Sequence, residues 1–284
     1  MTTGNKKIFV VAGAAGGIGL EVVRQLPAGS RILAVVQNDE QAAQIASLVE
    51  QAYVCDLADS SSVESTAAAI ASACGGHLDG VVFCAAVQPV GPVELVRRAD
   101  LEAVFAINLF GSMQLVQGLI PALRRARGRI VMFSSMAGRV SSPMLGAYAA
   151  TKYALEAMAD ALRRELRSCG ISVSLVEPGG VDTPMAASQT ALVNRAIAGL
   201  SGEDLDRYGR YYRGYLAMAQ KGLRFASSPA RVAATAVAAV SGTASPRARY
   251  IAGNDAKLII ALGRWLPWCW FDALLMKMTL GKEK

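Results

Sequence analysis

The sequence offers few of the features that would mark a secreted, metal-binding, membrane-spanning or repetitive protein. Its five cysteines, Cys55, Cys74, Cys84, Cys169 and Cys269, are odd in number, far apart and without C-x-x-C spacing. Neither a disulfide framework nor a zinc site is predicted, and the thiols read as reduced residues of a cytoplasmic protein. No uncharged Leu/Ile/Val-type run of transmembrane length is expected; residues 232–246 are uncharged but short and rich in alanine. Lys6-Lys7 before IFVVAGA has the charge-then-apolar order of a signal peptide, yet the glycines that follow fit a strand and its turn better. Internal repeats and low-complexity tracts are absent. Charge of one sign is nowhere concentrated: Lys and Arg outnumber Asp and Glu by 29 to 22, a net +7, but the densest groups, at 124–129 and 207–213, are short. Such a spread excess argues against nucleic acid and fits a phosphate-bearing ligand or an anionic membrane surface.

What the chain does have is length, apolar content and alternation. With 284 residues, 53% of them apolar, it can fill a single α/β core over 1–284, near the upper size for one domain. Short β-branched or apolar runs at 8–12, 31–36, 53–55, 80–85, 129–133 and 172–177 are separated by helical patterns at 40–50, 62–73, 100–127 and 146–169. A helix over 228–241 and a last strand at 249–252 follow. This order predicts a doubly wound, Rossmann-type parallel sheet of about seven strands with helices on both faces. The alternation lapses over 181–222, where Tyr208, Tyr211, Tyr212 and Tyr215 are interleaved with arginines. Residues 184–225 are expected to form a substrate loop or helical lid, and 255–284 a C-terminal extension.

The polar residues with candidate chemistry fall beyond strand carboxyl ends or on the helices after them, where open α/β sheets bind ligands. The first strand runs into Gly13, and Gly17, Ile18 and Gly19 open the first helix. Glycine there permits a tight turn and lets a pyrophosphate approach the amides at the helix start; a plain tight turn of small residues is the alternative. Asp56-Leu57 follows the third strand, where the carboxylate either meets an adenine amino group or caps a helix. Asn108 lies between Ile107 and Leu109 inside a helix, so it either bonds backbone carbonyls or serves a site. Ser135 ends the fifth strand, and Tyr148 and Lys152, four residues apart, share one helix face. A phenol titrates near ~10, and lowering it by about three units takes roughly 4 kcal/mol of preference for the phenolate. A close ammonium together with a bound cationic ring can supply that preference.

In order and approximate spacing, Gly13, Gly17, Gly19, Asp56, Asn108, Ser135, Tyr148, Lys152 and the Pro178-Gly179 corner followed by Thr183 resemble the classical short-chain dehydrogenases/reductases over nearly the whole chain. The resemblance implies an NAD(P)-dependent enzyme acting on CH–OH groups. It implies that Tyr148 is the general acid/base, that Ser135 positions the carbonyl or alcohol, and that Lys152 lowers the tyrosine pKa and holds the nicotinamide ribose. Asn108 would help order a proton-relay water, and Val181 and Thr183 would lie near the nicotinamide amide. Ile18, Gln37, Leu57 and Ala85 complete the expected dinucleotide contacts. Two departures stand out: Ala12 replaces the family's threonine, and Phe83-Cys84-Ala85-Ala86 replaces its N-N-A-G segment. Because the missing groups would meet each other, a rearranged but working cofactor cradle is expected.

Val36, Gln37 and Asn38 end the second strand without a carboxylate to repel a ribose phosphate, which leans the expected cofactor from NAD towards NADP, although no arginine is in place to attract that phosphate. Residues 90–94, the Glu177-Pro178-Gly179 corner and the C-terminal region look similar to the 17β-hydroxysteroid and retinol dehydrogenase branch. That likeness implies a bulky hydrophobic substrate held by Ser135, Tyr148, Met144, Leu145 and Met185. A carbonyl reductase for smaller ketones is the alternative, and a non-catalytic dinucleotide sensor is argued against by the intact Ser135, Tyr148 and Lys152. The tail over 257–280 carries Trp265, Trp268, Trp270 and Phe271 and is open to three readings: a membrane contact, a lid, or packing on its own domain or a partner subunit. A homodimer or homotetramer is expected, as is a cytoplasmic location with membrane association left open.

Overall fold

Apolar pentads and hexads with alternating inward faces build the centre of the molecule. In the computed structural model, which describes residues 6–281, β1 (Ile8–Ala12), β2 (Arg31–Val36), β3 (Gln51–Val54), β4 (Gly80–Phe83), β5 (Arg129–Phe133), β6 (Ser172–Pro178) and β7 (Arg249–Ala252) form one sheet. The outermost ends of the expected 1–284 and 255–284 spans lie outside the described residues. The strand order is β3-β2-β1-β4-β5-β6-β7, and every neighbouring pair is parallel. The direction of winding reverses between β1 and β4, which opens a crevice above their carboxyl ends.

Side-chain alternation sends β1 residues to two different layers. Val10 packs with α3 (Ser60–Ala73), α5 (Ser112–Ala126) and α6 (Gly146–Glu165), through Ile70, Leu119 and Leu155. Phe9 and Val11 pack with α1 (Gly17–Gln25), α2 (Asp39–Ile45) and α9 (Pro229–Ser241), through Val22, Ile45 and Ala236. Beyond β6, α7 (Pro184–Ala198) and α8 (Gly202–Leu223) occupy the segment where alternation lapses. Helices α10 (Asn254–Trp265) and α11 (Trp268–Leu280) close the chain, and α11 packs along α8.

Three expectations change. The helix expected over 40–50 stops at Ile45, because β3 already begins at Gln51 and Glu50 is drawn into a bidentate bond with Arg31. The helix expected over 100–127 is divided: α4 (Arg98–Phe105) passes through a π-helical turn, Ala106–Gly111, into α5. A π turn widens the helix locally, and here it carries the asparagine singled out above. The whole rod, Arg98–Ala126, is long and apolar enough to cross a membrane, contrary to expectation, but half of its apolar window is buried inside the protein. Leu119, fully buried on that rod, tests the packing. Leu119→Ala should lower unfolding free energy by about 2–5 kcal/mol, read as a reduced urea midpoint at unchanged slope.

Candidate active site

The crevice begins with Gly13, whose φ of +77° is a conformation that a side chain would strain and whose added Cβ would lie 2.6 Å from the Ala85 amide. Its amide donates to the Val35 carbonyl at 2.8 Å, turning the chain back across β2. Helix α1 starts at Gly17 behind a glycine N-cap that has no side-chain cap, so its first amides face the crevice unclaimed by any hydroxyl or carboxylate of the chain. Gly19 is held so close that a Cβ would meet the Gly13 carbonyl at 2.0 Å. Around them lies a cleft of about 260 Å³ lined by Gly13, Gly17, Ile18, Gly19, Gln37, Asp56, Leu57, Ala85 and Thr183, each expected from the sequence. Glycine amides, a neutral second-strand end and apolar walls fit a dinucleotide.

Some of these residues have local duties as well. Asp56 accepts from the Ala58 amide at 2.9 Å, and Thr183 caps α7 by accepting from the Ala186 amide at 3.3 Å. The lining also includes Gly16, Gln41, Cys84 and Ile107, which the sequence reading did not single out. Gln41 had a signal: it stands one turn after Gln37, and its side chain accepts from the Gln37 amide at 3.0 Å.

The π turn places Asn108 where its amide can satisfy another segment completely. Its Oδ1 accepts from the Val87 amide at 2.8 Å, its Nδ2 donates to the Val87 carbonyl at 2.9 Å and to Thr151 Oγ1 at 3.1 Å. Of the two readings open from sequence, bonding to the backbone is the one seen. These bonds tie the segment after β4 to α6.

At the end of β5, Ser135 caps a short 3-10 turn, its hydroxyl accepting from the Ala137 amide at 3.1 Å. Tyr148, in the first turn of α6, is 8% exposed, and its phenol lies near enough to Ser135 for that hydroxyl to act on its titration. One turn on, Lys152 has its ammonium 5.7 Å from the Tyr148 ring centroid, and it donates to the Phe133 carbonyl at 2.8 Å. The structure thus brings Ser135, Tyr148 and Lys152 together. With the protein's own groups, burial pushes the Tyr148 phenol up to about 12, and the Ser135 hydrogen bond is what pulls it back. The lowering expected from Lys152 is therefore not achieved by the chain alone. Burial pushes Lys152 down to about 8, opposed by the field of Glu156.

The stripe on α6 continues beyond the lysine. Glu156 and Asp160, at successive turns, bond Arg249 of β7 at 2.9 and 3.1 Å, and Arg249 also reaches the buried Glu177 at 3.1 Å. Arg139 meets Glu177 at 3.3 Å. Burial and the nearby Glu156 push the Glu177 carboxyl up. Glu156 Oε1, Glu177 Oε2 and the Ser134 hydroxyl have no hydrogen-bond partner among the described residues.

Pro178, Gly179 and Val181, also expected at the cofactor, are held by their own chain. Pro178 pairs with Ala252, Gly179 donates to the Ala252 carbonyl at 3.0 Å, and Val181 bridges Ser227. Asp255 fills the space beside Gly179, so that corner binds its own chain. Met185 lines the cleft beside Thr183 and Pro184. Met144 and Leu145 are buried with Val193, Tyr212 and Tyr215 of α7 and α8. Met144 takes a left-handed φ of +74°, and its carbonyl accepts from the Gly91 amide at 2.9 Å. Beside it opens a second cavity of about 640 Å³, whose walls include Val93, Met144, Gly146, Tyr211, Leu275 and Met276.

Residues 7–193 match the family model described as short chain dehydrogenase. The uncharacterized oxidoreductase YbbO of Escherichia coli (strain K12) is 40% identical over 63% of this chain and 67% of its own length. Retinol dehydrogenase 16 of Mus musculus is 31% identical over 98% of this chain and 90% of its own. The 17-beta-hydroxysteroid dehydrogenase type 6 of Homo sapiens is 30% identical over 95% and 88%. A solved short chain dehydrogenase from Burkholderia cenocepacia J2315 in complex with NADP superposes with a TM-score of 0.70 at 19% identity, covering 98% of both chains, which speaks to fold.

The buried ammonium sets a pH-dependent cost. Folded, Lys152 loses its proton near 8, whereas the unfolded chain's lysine titrates near ~10.4. Between those values the unfolded chain binds more protons, so stability rises with pH across that window. Lys152→Met is expected to raise the unfolding free energy at pH 7 by on the order of 2 kcal/mol, read as a higher urea midpoint, with the gain gone above pH ~10. A variant less stable than its parent at pH 7 would mean that the Phe133 bond and Glu156 outweigh desolvation.

Proposed function

The chain belongs to the short chain dehydrogenase family and is an oxidoreductase of that family, and on that premise we propose that it moves a hydride between a nicotinamide dinucleotide and a secondary alcohol or ketone on a bulky hydrophobic substrate. The observation that carries this reading is the convergence of Ser135, Tyr148 and Lys152 at the start of α6, in a chain that also holds the glycine-lined cleft and a second cavity walled by Met144 and Gly146 of the neighbouring turn. The bound nicotinamide supplies or accepts the hydride.

The chain's own part is binding, alignment and proton transfer. Amides at the start of α1 hold the pyrophosphate, and Asp56 and Leu57 flank the adenine end. Gln37 and Gln41 meet the adenosine ribose; no carboxylate of α2 lines the cleft there, which favours NADP over NAD. Ser135 Oγ orients the substrate oxygen, and Tyr148 Oη gives that oxygen its proton in reduction and takes it in oxidation. A phenol pushed up to about 12 holds its proton firmly, which suits the reductive direction until a cation beside it lowers the value. Helices α7 and α8 act as the lid, keeping water from the reacting oxygen through Tyr212, Tyr215 and Val193.

The bulky-substrate reading is supported by the roughly 300 Å³ threshold for small-molecule sites, which the cavity beside Met144 exceeds at about 640 Å³. It is also supported by the likeness, over most of the chain, to a retinol dehydrogenase and a 17-beta-hydroxysteroid dehydrogenase.

Tyr148→Phe should leave NADP binding within about twofold while lowering turnover by about 10²–10⁴-fold. The readout is absorbance of reduced nicotinamide across retinoids, steroids and small aromatic ketones with each cofactor. Turnover retained by the variant would refute the role of the phenol. Turnover confined to small ketones would refute the bulky-substrate reading.

A further inference from the structure

We propose that the outward face of α10 and the corner joining it to α11 form a docking surface for an anionic phospholipid bilayer. The proposal deepens the preceding reading, since it assigns the source from which an apolar substrate would arrive. The chain contains three tryptophans, and all of them fall in this corner: Trp265, Trp268 and Trp270, which are 78%, 78% and 68% exposed. Three neighbouring indoles left in water are an apolar patch that the monomer gains nothing by presenting.

The inner side of α10 is fixed, which leaves the outer side unpartnered among the described residues. Ala256 and Ile260 are buried, and Gly263 sits so near Val140 and Phe271 that a Cβ would lie 2.9 and 3.1 Å from them. Lys257, Leu258, Ala261, Arg264 and Trp265 face outward, at helical spacing that puts them on one stripe.

Charge selects the occupant. From 256 to 271 the sequence has two cations, Lys257 and Arg264, and no carboxylate. The Arg264 guanidinium lies 5.4 Å from the Trp265 ring centroid. Indole rings rest at the headgroup level of a bilayer, and basic side chains beside them meet lipid phosphates, while the chain as a whole carries +7. A second copy would bring the same cations onto the same surface, which opposes self-pairing. Helix α11, which starts with Trp268 and Trp270, also lends Leu275 and Met276 to the wall of the substrate cavity. Seating the indoles in lipid therefore sets that cavity close to the membrane surface.

The same three residues make the test direct, because all tryptophan emission of the protein comes from this corner. The full chain is mixed with phosphatidylcholine vesicles, with or without phosphatidylserine. The expected result is a blue shift and co-sedimentation with the anionic vesicles, at least tenfold stronger than with neutral ones and weakened by salt. K257E/R264E should weaken co-sedimentation more than tenfold. W265A/W268A/W270A should abolish it while circular dichroism and turnover of a water-soluble substrate stay unchanged. Unshifted emission with the protein left in the supernatant would overturn the proposal. So would a blue shift that depends on protein concentration without vesicles, since a second copy would then cover the face. Turnover measured without lipid reports on the oxidoreductase reading separately.

Discussion

A cation cannot stay in a protein interior unless something there is arranged to hold it, and the catalytic half of this molecule is arranged around Lys152. Its ammonium is taken up by the carbonyl that ends β5 and by the field of Glu156 one turn along α6. Glu156 is itself buried and needs Arg249; Arg249 in turn binds Asp160 and Glu177, and Glu177 draws in Arg139. Charges linked in this way are weak as a source of net stability but costly to break singly, because each removal leaves another charge unpaired in low dielectric. The result is that α6, β6 and β7 have one relative position in which the chain of charges is complete. That position sets Tyr148 against Ser135.

Much of this was legible in the sequence, and the reasons differ from part to part. Strands such as 8–12, 31–36 and 129–133 were read at their observed bounds, since a strand buried on both faces is a continuous apolar run with abrupt limits. The glycine turn, Asp56 and the Ser135, Tyr148 and Lys152 group were legible because each residue type is tied to its chemistry at a fixed place in a βα unit. The polar stripe was legible but unread: Tyr148, Lys152, Glu156 and Asp160 recur every four residues on one helix. The π turn was not legible, because its cause is a contact between Asn108 and Val87, 21 residues apart, that no local pattern records.

The departures from the family pattern find a physical account in the same region. Cys84 stands where an asparagine was expected; it is partly buried at the cleft wall, its thiol is pushed up by desolvation, and it lies near enough to Lys152 for the two to influence each other. Ala12 keeps the turn joined to the neighbouring strand by backbone alone, its carbonyl accepting from the Cys84 amide at 2.8 Å. A small residue at Ala85 leaves room for Gly13, whose approach to that amide no side chain could share. Two polar residues have thus been exchanged for close backbone packing, and the crevice keeps its shape.

Arg249 comes from the last strand, and this has a bearing on how the protein is made. Synthesis proceeds from the amino end, so the acids of α6 and β6 leave the ribosome long before the guanidinium that neutralises them. Until β7 is added, Glu156 lacks the guanidinium it bonds, while Glu177 and Asp160 already have Arg139 and Arg163 from earlier in the chain. The last strand to be made is therefore the one that neutralises the acid one turn beyond Lys152.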